Sequence, residues 1–155
     1  MAQMHDVGKM LIDPAILAKP GELTAVEQEK VRAHPVLGAG LVGPERDLRM
    51  ARSIALCHHE RWDGSGYPRG LRRDRIPLAS RLVALVDVYD ALRSRRPYKA
   101  EIEHDESLKI IFRGSGRTRP DHFDPEVLAT FREHNDDFDA VYTSHRDRRI
   151  RDRAA

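Results

Sequence analysis

The sequence predicts an all-α domain. Apolar residues recur at helical spacing, no segment reads convincingly as a strand, and Pro, Gly and capping residues divide the chain into helix-length pieces. Its 155 residues suit one domain with a real core. The elements follow in order. Residues 4–12 read as the end of a helix, and Asp13-Pro14 opens a short turn. Lys19-Pro20-Gly21 is a firm breaker, and Thr24 with Glu27 forms a capping box for a helix running to about Ala33.

His34-Pro35 is a junction, because proline disfavours helical geometry before it and suits the first turn of a new helix. That helix runs from Pro35 to about Val42 and breaks at Gly43-Pro44. The next spans about Arg46 to Glu60, with Leu48, Ala51, Ile54 and Ala55 forming a stripe that His58 extends inward. A Gly- and Arg-rich loop, 63–75, leads to a strong helix from about Leu78 to Ser94. Its expected apolar face is Leu78, Leu82, Leu85, Val86, Tyr89 and Leu92. Residues 104–112 suggest a further helix, and Asp124-Pro125-Glu126 caps a last one. The expected domain is 1–140, with 141–155 a charged C-terminal tail or frayed helix.

Bulk properties narrow the function. The chain is 40% hydrophobic and 34% charged, as for a soluble protein with a highly charged surface. No apolar run approaches the ~20 residues of a bilayer span, and no secretory signal is visible, so a cytoplasmic location without membrane contact is expected. The net charge of +2 comes with local basic clusters, read mainly as solvated surface, and no DNA partner is expected. The single cysteine, Cys57, reads as a small buried apolar residue rather than a thiolate ligand.

The chemistry concentrates in His5-Asp6, His34, His58-His59 and Asp87. His104, His122, His134 and His145 occupy polar surroundings and are expected at the surface. A lone histidine on an apolar face is usually a hydrogen-bonded core residue. Four such histidines joined by two aspartates shift the balance toward metal. Gly8 would let backbone approach closely, and Lys9 could reach a phosphate. Asp87 lies mid-helix among apolar residues, where an unpaired carboxylate is expensive. A His and Asp set, with Glu60 as a further option and no cysteine cluster, favours Fe or Mn over structural zinc. So many ligands suit a two-metal site, which can lower the pKa of bound water from about 15.7 to about 7 and so supply hydroxide for a phosphoryl displacement. Arg96 and Lys99, just past a helix end, suit an anionic phosphodiester. Tyr98, Tyr89 or Trp62 could stack on a base.

Taken together, these residues resemble the HD-GYP family, a branch of the HD-domain metal-dependent phosphohydrolases. The resemblance rests on His5-Asp6-Val7-Gly8-Lys9, residues 19–24, His34-Pro35, the run from His58 to Pro68, residues 87–92, Arg96-Pro97-Tyr98-Lys99 and Phe123-Asp124-Pro125. It implies hydrolysis of cyclic di-GMP to pGpG or GMP at a centre of two or three Fe or Mn ions. By motif, His5, Asp6, His34, His58, His59 and Asp87 would be ligands, with Asp6 bridging. Lys9 would position a phosphate or water, and Arg96 and Lys99 would bind the nucleotide. Gly66, Tyr67 and Pro68 would form a loop that contacts diguanylate cyclase domains in some relatives. The family also has a histidine ligand upstream of the His-Asp pair. Only Met1 to Met4 precede His5, so the expectation is an HD-domain-like helical bundle lacking its first helices, drawn from a longer parent with an upstream regulatory domain. Two alternatives are a non-catalytic module binding nucleotide or cyclase, and a phosphohydrolase of another nucleotide.

Overall fold

The computed structural model describes residues 4–94 and 101–154, with side chains as far as residue 145. Among the described residues every regular element is helical, and the only β feature is a bridge between Ser115 and Thr118. The α-helices are α1 (Pro14–Leu17), α2 (Ala25–Arg32), α3 (His34–Val42), α4 (Arg49–Cys57), α5 (Leu78–Arg93), α6 (His104–Arg113), α7 (Pro125–Glu133) and α8 (Asn135–Ala154).

The helix starts follow local chemistry. The Asp13 side chain accepts from the Ala15 N–H and caps α1. Thr24 and Glu27 make the reciprocal capping box of α2, and Lys19 pairs with Glu27 at 2.6 Å. Asp124 accepts from the Glu126 N–H at 2.9 Å, with Pro125 in the first turn of α7. Residues 7–11 form a tight 3-10 turn rather than an α-helical end. The expected helix over 46–60 begins as a 3-10 turn at Arg46–Leu48 and stops at Cys57. Beyond Cys57 the chain must leave the helix for Glu60 to meet the following loop. α8 runs without a break through residue 140.

Two cores flank the middle of the molecule. Leu85 and Tyr89 of α5 pack with Ile111, Phe123, Val127 and Phe131. Val42, Ala51 and Ala55 form the other, with Val7 and Leu48 against them. α5 packs on α4, α6 and α7 and so joins the two halves. Phe131 is 2% exposed and touches the Tyr89, Phe112 and Phe138 rings. Phe131→Ala is therefore expected to cost about 3–5 kcal/mol, read as a lower denaturant midpoint.

Some expectations need correction. Leu78, Leu82 and Val86 are 58, 46 and 40% exposed, so they are not core. Leu82 and Val86 rotate away from the Leu85–Tyr89 face, and Leu78 lies in the first turn. His104 is not a surface residue: Tyr89 Oη donates to its Nδ1 at 2.9 Å, and its Nε2 lies 3.1 Å from Asn135 Oδ1. Burial pushes the Tyr89 phenol up to about 12. His122 is also buried, at 8% exposure. Cys57 matches its expectation at 3% exposed, and burial, then the nearby Glu60 charge, pushes its thiol up to about 11. A thiol reagent at neutral pH is expected to label Cys57 only after unfolding, as a titration with and without denaturant would show.

Candidate metal centre

The centre sits between the two cores, where four chain segments end or cross. The 3-10 turn brings His5 and Asp6, α3 begins with His34, α4 ends at His58-His59, and α5 contributes Asp87. Gly8 makes this junction possible. A Cβ there would lie 2.0 Å from the His34 carbonyl oxygen and 2.5 Å from the Gly38 nitrogen. Only a residue without a side chain lets the turn lie against the start of α3.

Ligating atoms of Asp6, His34, His58 and His59 all lie within 4.8 Å of one another. Asp6 Oδ1 is 3.2 Å from His34 Nε2 and 3.7 Å from His58 Nε2, and the two Nε2 atoms are 3.2 Å apart. His34 Nδ1 lies 2.7 Å from the Val31 carbonyl. His58 Nδ1 lies 3.0 Å from the Ala55 carbonyl and 3.1 Å from that of Ile54. A carbonyl only accepts, so each Nδ1 carries the hydrogen and each neutral ring turns an Nε2 lone pair inward. Asp6 Oδ1 is buried with no hydrogen-bond partner. Three electron-rich atoms therefore converge with no hydrogen between them. Such an arrangement fits a cation, and orienting ligand imidazoles through backbone carbonyls is how metal sites are commonly held.

The second Asp6 oxygen faces a different set. His5 Nε2 is 3.5 Å from Asp6 Oδ2 and 3.5 Å from Asp87 Oδ1. Lys9 Nζ donates to Asp6 Oδ2. The carboxylate thus spans two groups, His34/His58 on one oxygen and His5/Lys9 on the other. Burial raises the Asp6 pKa, yet the carboxyl is held far below the usual range, with the Lys9 ammonium as the cation against it. Asp87 is also held low: burial raises its pKa, and the His5 hydrogen bond outweighs that effect. Burial chiefly, with His58 and His34 crowded beside it, drops His59 to about 3, so its ring is neutral at physiological pH and able to take a metal.

The loop after His59 is built against this cluster. Glu60 is 3% exposed and accepts from the Arg69 N–H at 2.8 Å and the Leu71 N–H at 2.9 Å. It therefore does not join the ligands, because its oxygens close the loop. A Cβ on Gly66 would come within 2.3 Å of the Arg61 nitrogen and 2.5 Å of Glu60 Cα. Tyr67 stacks on the His59 ring, centroids 4.8 Å apart at 25°, and Arg32 lies over the Tyr67 ring at 4.3 Å. Burial pushes the Tyr67 phenol up to about 12. Gly66, Tyr67 and Pro68 are half-buried, and the Tyr67–Pro68 peptide is cis.

Arg96, Tyr98 and Lys99 lie outside the described residues. Tyr89 is core and so is not placed to stack on a base, and Trp62 is half-buried with Arg81 over its ring at 5.2 Å. Sequence reasoning missed Arg32, which has no motif of its own, and the loop 114–123. Two ties stitch that loop to the one after His59. The Trp62 N–H donates to the His122 carbonyl at 2.8 Å, and Arg119 Nη2 donates to Asp63 Oδ2 at 2.8 Å. Asp63, Asp121 and His122 also form a close acidic group. Arg119 already occupies it, reaching Asp121 Oδ1 and His122 Nε2 each at 3.2 Å.

A helical domain whose His and Asp side chains converge in this way is of the class that can hold a metal ion between its helices. The comparisons place it more narrowly: the chain belongs to the HD domain family, whose model matches residues 2–127. It is 44% identical to a cyclic di-GMP phosphodiesterase of Vibrio cholerae over 153 residues, covering 94% of this chain and 30% of that protein. It is 44% identical to the cyclic di-GMP phosphodiesterase response regulator RpfG of Xanthomonas campestris, covering 82% of this chain and 33% of that protein. A 3'3'-cGAMP-specific phosphodiesterase 2 of Vibrio cholerae is 38% identical over 91% of this chain and 27% of its own length. The chain therefore spans roughly a third of these relatives. Among the described residues, no helix is long and apolar enough to cross a membrane.

Proposed function

We propose that this domain is a metal-dependent phosphodiesterase that hydrolyses cyclic di-GMP to pGpG or GMP. The convergence of Asp6 Oδ1, His34 Nε2 and His58 Nε2 without an intervening hydrogen carries this reading. Identity above 40% to proteins named cyclic di-GMP phosphodiesterases supports the substrate. His5, Asp6, His34, His58, His59 and Asp87 would hold two or three Fe or Mn ions, an all-nitrogen and oxygen set suited to such metals. Asp6 would bridge, since its two oxygens face different histidines. When bound, the ions supply Lewis-acid activation of water and neutralise phosphate charge.

The protein's own groups do the rest. Lys9 and Asp6 together place a cation and a hydrogen-bond acceptor at the site, where a phosphate oxygen and an attacking water would be oriented. Tyr67 packs on His59 and fixes the ring's direction while excluding water from that side. Arg96 and Lys99 would bind the nucleotide, and the Gly66–Pro68 loop would meet a cyclase partner. A regulatory domain in a longer cytoplasmic protein fits the same reading, as the name of the response regulator relative suggests.

The test is product analysis by chromatography after loading the protein with Mn or, without oxygen, Fe(II). The expected result is conversion of cyclic di-GMP to pGpG or GMP, abolished by chelation. A metal-loaded protein that binds cyclic di-GMP without cleaving it would instead favour a non-catalytic module. Cleavage of other nucleotides alone would assign a different phosphohydrolase.

A further inference from the structure

We infer that Arg61 and Arg117 form a subsite for the second, non-reacting phosphodiester of a cyclic dinucleotide. The inference rests on the phosphodiesterase reading and extends it to the wall of the site that the metal ligands do not supply.

A cavity of about 100 Å³ is lined both by His58, His59 and Asp87 and by Arg61, Arg117 and Thr118. Residues of the metal centre and two arginines thus share one cavity. Its size decides what it takes. Pockets that enclose whole small molecules run to about 300–1,000 Å³, so this space takes the phosphate groups of a larger ring and leaves its sugars and bases outside.

The two arginines differ from the others nearby. Arg81, Arg93 and Arg119 each pair with a carboxylate at 2.7–2.9 Å. Among the described residues, no carboxylate lies within ion-pair distance of Arg61 or Arg117. The Arg61 fork has only Ser65 Oγ at 3.4 Å and the Arg117 carbonyl at 3.5 Å, both at the outer limit of a hydrogen bond. A guanidinium carries five donors, so most remain unused. Arg117 is exposed at the tip of the Ser115–Thr118 turn, and the Asp63–Arg119 pair anchors that turn to the loop carrying Arg61. Two cations are thereby held at one mouth, where their summed field and forked donors suit phosphate oxygens.

The chemistry of the relatives agrees. The rings for which they are named, cyclic di-GMP and 3'3'-cGAMP, differ in their bases, and both carry two phosphodiesters. With one at the histidine end of the cavity, the other falls toward the arginine end.

The probe is a non-hydrolysable phosphorothioate analogue of cyclic di-GMP, measured by equilibrium binding to the metal-loaded protein. Arg61→Ala and Arg117→Ala are each expected to weaken it roughly tenfold, the loss of one charged hydrogen bond. The same loss is expected for the cyclic di-AMP analogue. Turnover of bis(p-nitrophenyl) phosphate, which has a single phosphodiester, should change at most about twofold. Arg75→Ala, outside the cavity lining, controls for net charge and should leave binding in place. Unchanged affinity in both variants would overturn the subsite, as would equal loss on bis(p-nitrophenyl) phosphate, which marks a structural role. A loss confined to guanine-containing rings would also overturn it, assigning the arginines to the base. If the unaltered protein cleaves no cyclic dinucleotide, the phosphodiesterase reading fails, while the binding comparison still decides the subsite.

Discussion

Asp6→Ala is expected to remove most bound metal and to lower phosphodiesterase turnover by on the order of 10³-fold or more, comparable to deleting a principal charge-stabilising group. Asp6 joins two sides of the cluster: Oδ1 faces His34 and His58, and Oδ2 faces His5 and Lys9. Removing it leaves imidazole lone pairs facing one another with no anion to balance a divalent ion. The fold should survive, because Asp6 contributes nothing to either apolar core. Metal content by mass spectrometry and a thermal melt distinguish these effects. Retention of full metal stoichiometry and activity would contradict the role assigned to Asp6. Asp6→Asn keeps the shape but loses the charge, and should also lose metal.

Gly8→Ala is expected to damage both stability and the centre, although it adds only one methyl group. The new Cβ would collide with the backbone of α3 at His34 and Gly38, and backbone cannot swing aside as a flexible side chain can. α3 must shift, at a cost of about 1–3 kcal/mol or more. Because α3 carries His34, the shift also separates Nε2 from Asp6 Oδ1. Gly40→Ala is the matched control on the same helix, since nothing lies within 4 Å of its added Cβ. That change should stabilise the protein by about 0.5–1 kcal/mol through helix propensity. Paired melts and metal titrations of the two variants test the argument. Equal behaviour would show that the Gly8 contact does not matter.

Much of this centre was legible in the sequence because its parts occupy helix boundaries. His34 precedes a proline, His58 extends an apolar stripe, and Asp87 interrupts one, so each stood out against its local pattern. Their convergence was not legible from periodicity. It depends on the close approach of the turn at Gly8 to α3, and only the family resemblance joined those segments. Glu60 shows the limit in the other direction. A carboxylate beside two histidines reads as a ligand, yet its oxygens are used by the N–H groups of Arg69 and Leu71. His122 misled similarly: polar neighbours in sequence point outward, while the ring is buried and held by Arg119. The exposed Leu82 and Val86 reveal a further ambiguity. On a long, mostly apolar helix, composition alone does not say which side meets the core.

The most direct test of the metal centre is anomalous diffraction from crystals of the Mn-loaded protein, recorded near the Mn absorption edge. The account predicts difference peaks among Asp6, His34, His58 and His59, with Asp6 contacting more than one ion. Crystals holding Mn only elsewhere, for example at Asp63 and Asp121, with no peak at this cluster, would contradict it.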